Sequence, residues 1–318
     1  MPTISVIIPV FRVEDYIERC ARSLFEQSFE GLEYIFVDDC SPDRSVSVLE
    51  RVAAQYPKRE NSVKILKNEK NLGVLKTRMK GIAAATGDYL IHCDADDWVV
   101  QDMYEKLYRE AVSKNADIVR CDFYKSDGNT HLPCTQSGSE DPVRDLLLGK
   151  RQGSLCTHLV KKELVDDPRI VYPVQNMAED MTLLLQYFLL AQSYSYVNEP
   201  LYYYYQNSNS VSSGDSKEKI VSQAYQMSEN VGIFHTFLLQ TGIGSEWKNE
   251  IVFRKFFNKR WLLPAVDSVR NCRLWLDCHR DINFSLYRNP YITKREKLIS
   301  LLVELRLYPL LRKIIRGR

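Results

Sequence analysis

The chain has 318 residues, of which 45% are hydrophobic and 26% are charged, as in ordinary soluble globular proteins. This composition excludes a disordered chain, a collagen-like fibre and a small disulfide-rich scaffold. No stretch of 18 apolar residues occurs, so we expect no membrane-spanning helix. The first residues lack the basic segment of a signal peptide, and the eight cysteines show no paired spacing. We therefore expect a cytoplasmic protein with reduced thiols.

The net charge of +2 conceals two regions of opposite sign. Residues 216–318 contain 19 Lys and Arg against 9 Asp and Glu, whereas residues 1–215 contain 24 basic and 32 acidic residues. We expect these two regions to have different partners.

Strand and helix patterns alternate through the first part of the chain. Short β-branched runs predict strands, and the amphipathic stretches between them predict helices. In chain order the pattern predicts a strand at 4–10, a helix at 15–27, a strand at 34–37, a helix at 46–56, a strand at 63–66, a helix at 75–85, and strands at 89–92 and 118–123. This alternation predicts an α/β fold in which helices cover both faces of a mostly parallel sheet.

The later part of the chain is predominantly helical. Residues 126–141 are rich in Ser, Gly, Thr, Asn and Pro and predict an irregular loop. The pattern then predicts a helix at 178–191, a tyrosine-rich strand or hairpin broken at Pro200 over 194–205, and helices at 218–239, 247–261 and 294–315, the last with a bend at Pro309. We expect an α/β domain at 1–214 and a helical, basic extension at 215–318.

Aspartates follow the predicted strands, at the edge where open α/β sheets bind ligands. They are Asp38, Asp39, Asp94, Asp96 and Asp97. Unpaired carboxylates held together are costly unless a cation or a hydrogen-bond donor offsets their charge. Asp94 and Asp96, two positions apart after a buried strand, suit a hard divalent cation that shares a diphosphate. The alternative is a solvated acidic turn in which Asp97 caps the next helix.

No glycine-rich phosphate loop follows the first strand. The absence of GxGxxG and GxxxxGK[ST] there argues against a dinucleotide-dependent dehydrogenase and an ATPase. A nucleotide would instead need a carboxylate for its base, a metal for its diphosphate and a basic side chain. Asp39 could accept from a uracil imide N–H, and Lys76 and Arg78 could face phosphates. The alternatives are a strand-end cap for Asp39 and a solvated helix face for the two basic residues.

Five motifs in order resemble those of the family 2 glycosyltransferases, which are inverting, nucleotide-sugar-dependent enzymes. They are SVIIPVF at 5–11, FVDDCSPD at 36–43, NLG at 71–73 with Arg78, GDY at 87–89 and DADDW at 94–98. Two later segments, AED at 178–180 and LYYY at 201–204 followed by 208–212, also resemble the family. The resemblance implies a GT-A-type, Rossmann-like catalytic domain over about residues 1–212.

The resemblance also implies roles for individual residues of the nucleotide-sugar site. It places the base against Pro9, Val10, Phe11 and Asp39, includes Arg78 in the site, puts Asp94 near the ribose, makes Asp96 the metal ligand and makes Asp180 the catalytic base. Cys40 departs from the family, in which Gly or Asn is commoner at this turn. Residues 202–206 also lack the His or Arg of the usual downstream positions.

The resemblance implies a metal-dependent, inverting, hexosyl-type glycosyltransferase that uses Mg²⁺ or Mn²⁺. Its donor would be a nucleotide sugar, UDP-linked, and its acceptor a hydroxyl of a glycan or lipid-linked glycan in cell-surface polysaccharide or glycoconjugate synthesis. One alternative is a sugar-1-phosphate nucleotidyltransferase, which would need a Gly-rich, Arg-containing loop after the first strand. Another is a catalytically inactive carbohydrate-binding protein, against which the intact Asp94, Asp96 and Asp180 argue.

The C-terminal segment mixes leucines and isoleucines with lysines and arginines. Over residues 287–318 only Glu296 and Glu304 oppose nine basic residues. A basic amphipathic helix can bind an anionic membrane surface, so we expect residues 294–318 to make the enzyme peripheral on the inner face of a membrane. Nucleic acid is not expected as a partner, because no nucleic-acid-binding motif accompanies the basic segment. The remaining alternative is a helix docked on the protein's own core.

Overall fold

The computed structural model describes residues 2–136, 138–206, 216–243 and 246–316, with side chains as far as Arg312. The chain forms two compact units made of interleaved segments. The first unit comprises Met1–Gly138, Gln152–Ile170 and Leu183–Ser210, and the second comprises Ser139–Arg151, Val171–Thr182 and Val211–Arg318. The expected domain boundary at residue 214 lies outside the described residues. Two segments before that boundary group with the C-terminal helices.

The helices and strands have the following bounds. The strands are β1 (Ile4–Val10), β2 (Leu32–Asp38), β3 (Val63–Lys67), β4 (Tyr89–His92), β5 (Trp98–Val99), β6 (Ile118–Ser126), β7 (His131–Cys134), β8 (His158–Lys161) and β9 (Tyr194–Tyr205). The α-helices are α1 (Ile17–Phe25), α2 (Ser45–Ala53), α3 (Val74–Ala84), α4 (Met103–Lys114), α5 (Pro142–Leu147), α6 (Lys162–Val165), α7 (Glu179–Leu190), α8 (Lys217–Thr241), α9 (Lys248–Trp261), α10 (Cys272–Asp277), α11 (Lys294–Glu304) and α12 (Tyr308–Arg316). Within the described ranges, no helix combines the length and the apolar character that crossing a bilayer requires.

The strands of the first unit form one sheet in the order β3-β2-β1-β4-β8-β6-β9-β5, and β7 pairs with β6. β1 is parallel to β2 and β4, and β2 is parallel to β3, so these four strands end at the same edge. The remaining part is mixed, because β8 is antiparallel to β4 and β6 whereas β9 is parallel to β6. The α/β fold class expected from the sequence is confirmed, with a helical C-terminal region.

Helices cover both faces of the central strands. Successive residues of a strand point to opposite faces, and Ile8 of β1 joins the core that contains the buried residues of α1. Ile7, on the other face, lies against α3. Gly81 permits this close approach, because a Cβ atom at that position would lie 2.5 Å from Cγ2 of Ile7.

The segment at 126–141, predicted to be an irregular loop, contains a strand. β7 pairs antiparallel with the end of β6, with Ser126 opposite His131. The turn between them is closed by Asp127, whose Oδ1 accepts from the backbone N–H groups of Asn129 and Thr130 at 2.9 and 2.7 Å. The prediction was wrong because the same small polar residues that mark loops also build tight hairpin turns.

The tyrosine-rich segment at 194–205 is one continuous strand and not a hairpin. β9 pairs with β6 along its whole length, and the register shifts between Cys121 and Phe123. Pro200 lies opposite Asp122 within this irregular stretch, where a residue without an N–H donor is tolerated.

The predicted C-terminal helix at 294–315 is two helices, α11 and α12, and the break precedes Pro309. Arg306, between them, has a φ of 59°, which a continuous helix cannot accommodate. Pro309 lies in the first turn of α12, where a missing N–H costs nothing. The predicted bend is therefore a break that falls before the proline.

The second unit has its own apolar core, which surrounds a buried lysine. Phe256, Trp275 and Tyr308 are among the core side chains. The Nζ atom of Lys259 donates to the carbonyl oxygens of Trp275 and Cys278, both at 2.5 Å, and to Oδ1 of Asn283 at 2.8 Å. Burial lowers the pKa of Lys259 to about 8 from its usual 10.5.

Lys259 predicts a dependence of stability on pH. Between pH 8 and 10.5 the unfolded chain retains the lysine proton while the folded chain releases it, so this residue makes the free energy of unfolding rise with pH. With urea as the denaturant, we expect the unfolding free energy of the wild type to rise relative to that of Lys259→Met as the pH increases from 8 to 10.5. A difference independent of pH would contradict the lowered pKa.

Candidate active site

The loop after β1 is fixed by the loop after β2. Three successive backbone N–H groups at residues 12–14 donate to the side chains of Ser41, Ser45 and Asp43 at 2.8, 2.9 and 3.2 Å. Burial raises the pKa of Asp43, but hydrogen bonds from Ser45 and Ser41 outweigh it and leave the pKa below its usual value. The sequence reasoning missed this role. Its signal was an aspartate among small hydroxyl residues just before a predicted helix.

Pro9 and Val10 end β1, and Phe11 follows directly after it. The carbonyl oxygen of Val10 accepts from the backbone N–H of Asp39 at 2.9 Å, which joins the ends of β1 and β2. Val10 is buried, Pro9 is partly buried and the Phe11 ring is 36% exposed. The Arg12 guanidinium lies over that ring, 5.2 Å from its centroid.

Asp39 is buried and holds the loop that follows β3. Its Oδ1 accepts from Nδ2 of Asn68 and from the backbone N–H of Leu72, both at 2.8 Å. Its Oδ2 accepts from the backbone N–H of Gly73 at 2.9 Å. Gly73 has a φ of 85°, a conformation that glycine adopts without strain, and it directly precedes α3. Asp39 thus fixes the entry into the helix that carries Arg78.

Arg78 is buried and pairs with Asp94. Its Nη2 donates to Oδ1 of Asp94 at 2.6 Å, and the Asp94 side chain is 34% exposed. Lys76, the other basic residue considered for phosphates, is exposed on α3. The structure therefore joins Arg78 directly to the acidic motif.

The acidic motif follows the buried strand β4, as expected, and forms the turn between β4 and β5. The backbone N–H of Asp97 donates to the carbonyl oxygen of Asp94 at 3.0 Å. Asp97 does not cap a helix, contrary to the alternative considered from the sequence. Its buried carboxylate accepts from Oη of Tyr202 at 2.5 Å and from the backbone N–H of Tyr205 at 2.7 Å. Burial raises the pKa of Asp97 well above its usual value, and the charges of Asp96 and Asp94 add to this.

Tyr202 and a row of stacked rings hold this turn. Oη of Tyr202 also accepts from the backbone N–H of Asp94 at 3.2 Å. Trp98 stacks on Tyr203 with centroids 4.9 Å apart, and Tyr203 stacks on Tyr124 at 4.7 Å. The Arg19 guanidinium covers Trp98 at 3.6 Å, and its Nη2 donates to the carbonyl oxygen of Asp96 at 3.0 Å. These contacts could not be predicted from the sequence, because they join residues far apart along the chain.

The acidic turn could hold a divalent cation only together with a ligand. In the part of the chain that the structure describes, no group of three or more His, Cys, Asp or Glu side chains could hold a metal by itself. Asp94 and Asp96 are partly exposed, whereas Asp97 is buried. Mg²⁺ is often held by one or two carboxylates, with phosphate oxygens and water as its other ligands. The carboxylates of Asp94 and Asp96 fit such a cation if a diphosphate supplies its other ligands.

Asp180 belongs to the second unit, in the first turn of α7. It is partly exposed, and the preceding Glu179 is buried. Ala178, directly before the helix, has a φ of 61°, a strained conformation for a residue other than glycine. The later tyrosine-rich motif is described only to Gln206, so the part at 208–212 lies outside the described residues.

Part of the sequence matches a known family. The family described as "Glycosyl transferase family 2" matches residues 5–156. The chain carries a family 2 glycosyltransferase domain. The chain is 31% identical to "Uncharacterized glycosyltransferase EpsJ" of Bacillus subtilis (strain 168) over 66% of its own length and 63% of that protein. It is 28% identical to "Cholesterol galactosyltransferase" of Borreliella burgdorferi over 95% of its own length and 83% of that protein.

Solved structures share the fold of this glycosyltransferase domain. S. aureus TarS 1–349 in complex with UDP-GlcNAc superposes with a TM-score of 0.59 at 19% identity, covering 90% of this chain and 91% of TarS 1–349. The mannosyltransferase PcManGT from Pyrobaculum calidifontis, in complex with GDP-Man and Mn²⁺, superposes with a TM-score of 0.56 at 13% identity, covering 100% and 88%. At these identities the likeness establishes the fold alone.

The turn after Asp39 gives a test of the local backbone. Cys40 has a φ of 58°, in the left-handed region that favours glycine and asparagine, which explains why those residues are commoner there in the family. We expect the unfolding free energy of Cys40→Gly to be about 0.5–1 kcal/mol higher than that of Cys40→Ala. Both variants lose the thiol, but only the glycine variant also loses the Cβ atom that strains this conformation. Chemical denaturation measures this. An alanine variant as stable as the glycine variant would contradict the strain.

Proposed function

We propose that the protein is an inverting glycosyltransferase that transfers a sugar from a UDP-linked donor to a hydroxyl of a glycan or lipid-linked glycan. The observation that carries this proposal is the grouping of Asp39, Arg78, Asp94 and Asp96 in the first unit, where Arg78 lies on α3 and the three aspartates lie on segments held by buried hydrogen bonds. The family supports it, as do the nucleotide sugars bound to TarS and PcManGT.

The donor's base would lie against Pro9, Val10 and Phe11. The exposed Phe11 ring offers a face on which a pyrimidine can stack. Asp39 would accept from the imide N–H of uracil. Its Oδ2 has two lone pairs and accepts from Gly73, so a second donor can be accommodated. Asp94, next to Arg78, would receive the ribose.

The diphosphate would lie over the acidic turn with Asp96 holding Mg²⁺ or Mn²⁺. A divalent ion there offsets the charge that develops on the leaving nucleoside diphosphate. Arg19, through its bond to the carbonyl oxygen of Asp96, and Tyr202, through its bond to the N–H of Asp94, would fix the turn in place. A fixed turn matters because preorganised groups need no rearrangement in the transition state.

Asp180 would take the proton from the acceptor hydroxyl. A hydroxyl is a poor nucleophile until a base within hydrogen-bond reach removes its proton. With one base and no covalent intermediate, the acceptor attacks the anomeric carbon from the side opposite the diphosphate, and the configuration inverts.

The acceptor would be carried on a lipid at the inner face of a membrane, in cell-surface polysaccharide or glycoconjugate synthesis by a cytoplasmic enzyme. The similarity to a cholesterol galactosyltransferase, which extends over 95% of the chain, supports a lipid-borne acceptor. A surface in the second unit supports membrane contact. We call it the outer leucine row, and it consists of Leu298, Leu301 and Leu305.

The outer leucine row runs along α11 opposite its packed face and ends at Leu305, directly after the helix. Val303 of α11 is fully buried in the core of the second unit, whereas Leu298 and Leu305 are 56% and 58% exposed. Residues three and four apart share one helix face, so the row is continuous. Lys294, Arg295 and Lys297 border it, and Glu296 is turned inward to pair with Arg260 at 2.8 Å. An apolar row with basic borders is the surface that an anionic bilayer interface attracts.

The donor site predicts the effects of two substitutions. Asp39→Ala should weaken the binding of UDP at least tenfold, because the imide would lose its acceptor, and calorimetry measures this.

Asp96→Ala tests the metal site. In the presence of UDP-glucose, UDP-galactose or UDP-N-acetylglucosamine, Mn²⁺ should raise the melting temperature of the wild type further, because bound ligand stabilises the native state. Asp96→Ala should abolish this additional increase. Asp88→Ala, at the opposite end of β4, is the control and should behave as the wild type. Unchanged UDP affinity in Asp39→Ala, or an unchanged Mn²⁺ effect in Asp96→Ala, would remove that residue from the site.

The outer leucine row predicts binding to anionic vesicles. We expect the protein to sediment with phosphatidylglycerol vesicles and not with phosphatidylcholine vesicles. Binding should weaken with salt, because the Debye length is only about 8 Å at 0.15 M ionic strength. Replacing Leu298, Leu301 and Leu305 by Gln should abolish binding. Substitution is preferable to truncation, because deleting residues 294–318 would also remove the buried Val303 and Tyr308.

A matched control for these substitutions is available. Leu132 and Leu239 are also exposed, at 61% and 72%, but belong to other elements. Leu132→Gln combined with Leu239→Gln should leave vesicle binding intact. Equal sedimentation of the triple variant and the wild type, or no binding of the wild type to phosphatidylglycerol at low salt, would exclude membrane contact by this row.

A further inference from the structure

The side chain of a buried asparagine in α8 bonds to the backbone that precedes Glu179 and Asp180. Asn230 is fully buried. Its Oδ1 accepts from the backbone N–H groups of Val174 and Gln175 at 3.1 and 3.2 Å. Its Nδ2 donates to the carbonyl oxygens of Gln175 and Met177, both at 2.8 Å. All of these residues belong to the second unit.

These four bonds use the whole capacity of the side chain. A carboxamide has two N–H donors and two acceptor lone pairs, and here each is matched by a backbone group of one short segment. Reversing the amide would set donors against N–H groups and an acceptor against carbonyl oxygens, so its orientation is fixed by its partners. The bond between Nε2 of Gln175 and Oε2 of Glu229, at 2.5 Å, adds a second link from α8 to the same segment.

The segment ends at a strained residue next to the acidic pair. Ala178 follows Met177 directly and has a φ of 61°. Such a conformation costs about 1–3 kcal/mol and persists only where surrounding contacts impose it. On its other side, the carbonyl oxygen of Ala178 accepts from the backbone N–H and from Oγ1 of Thr182 at 3.1 and 2.8 Å. Ala178 is thus held on both sides, by the segment that Asn230 fixes and by the first turn of α7.

We propose that Asn230 is a positioning residue for the general base Asp180. This inference rests on the proposed function, in which Asp180 takes the acceptor proton. Asn230 fixes the backbone up to Met177, three residues before Asp180, and thereby sets where the carboxylate stands. A general base works only within hydrogen-bond reach of its proton, so a shift of about 1 Å at this point can cost roughly 100-fold in rate.

The test is a double-mutant cycle between Asn230 and Asp180 in the full chain. Asn230→Asp keeps the shape of the side chain but replaces the two donors that face Gln175 and Met177. With Mn²⁺, the probe reaction is release of UDP from whichever of UDP-glucose, UDP-galactose and UDP-N-acetylglucosamine is hydrolysed fastest, with water as the acceptor.

We expect Asn230→Asp to lower kcat about 10- to 100-fold, with the Kd for UDP unchanged. Asp180→Asn should lower kcat by about 10²–10⁴-fold, and adding Asn230→Asp to it should lower kcat no further.

A merely structural role would give a different result. Asn289 is another buried asparagine of the second unit, bonded to the backbone of Asn249 and Tyr291. Asn289→Asp should lower stability without changing kcat per UDP-binding molecule. Two results would contradict the role of Asn230 and leave the assignment of Asp180 intact. One is multiplicative effects in the cycle, and the other is a normal kcat in Asn230→Asp when Asp180→Asn is impaired. A normal kcat in Asp180→Asn would overturn both this inference and the base assignment.

Discussion

The repulsion among carboxylates at one edge of the sheet is the constraint on which the first unit depends. Carboxylates held close together must each be offset by a donor or a cation, or their burial would be prohibitive. Here Asp38 accepts from the backbone N–H of Ser41 at 2.8 Å, and Asp94 pairs with Arg78. Asp39 and Asp97 are buried and accept from backbone N–H groups of distant segments, the loop before α3 and the end of β9. The acidic residues therefore also connect these segments.

The loop after β1 is not arranged as a phosphate loop. In a phosphate loop, successive backbone N–H groups face the ligand. In this chain the N–H groups of residues 12–14 are instead directed at Ser41, Ser45 and Asp43. These three N–H groups are consequently not available to bind an anion. Charge compensation for a diphosphate would then come from a cation at the acidic turn, which agrees with the partial exposure of Asp96.

The second unit relies on buried polar side chains that organise backbone. Lys259 holds carbonyl oxygens near the end of α10, and Asn230 holds the segment before α7. Arg254 donates to the carbonyl oxygens of Leu146 and Leu147 at the end of α5. Each is costly to bury and becomes favourable only because its partners are in place. Such groups specify one arrangement of the short segments that they hold.

The sequence by itself determined the alternation of strands and helices, the order of the motifs and the edge at which the acidic residues gather. These follow from local periodicity and from the rule that parallel strands end on one side of a sheet. Only the tertiary structure decided that Asp97 is turned inward to Tyr202 and that α11 is apolar on two faces. It also decided which helix holds the segment before Asp180. Each of these depends on contacts such as that between Asp97 and Tyr202, which lie 105 positions apart. A local pattern carries no information about which distant side chain will occupy the space beside it.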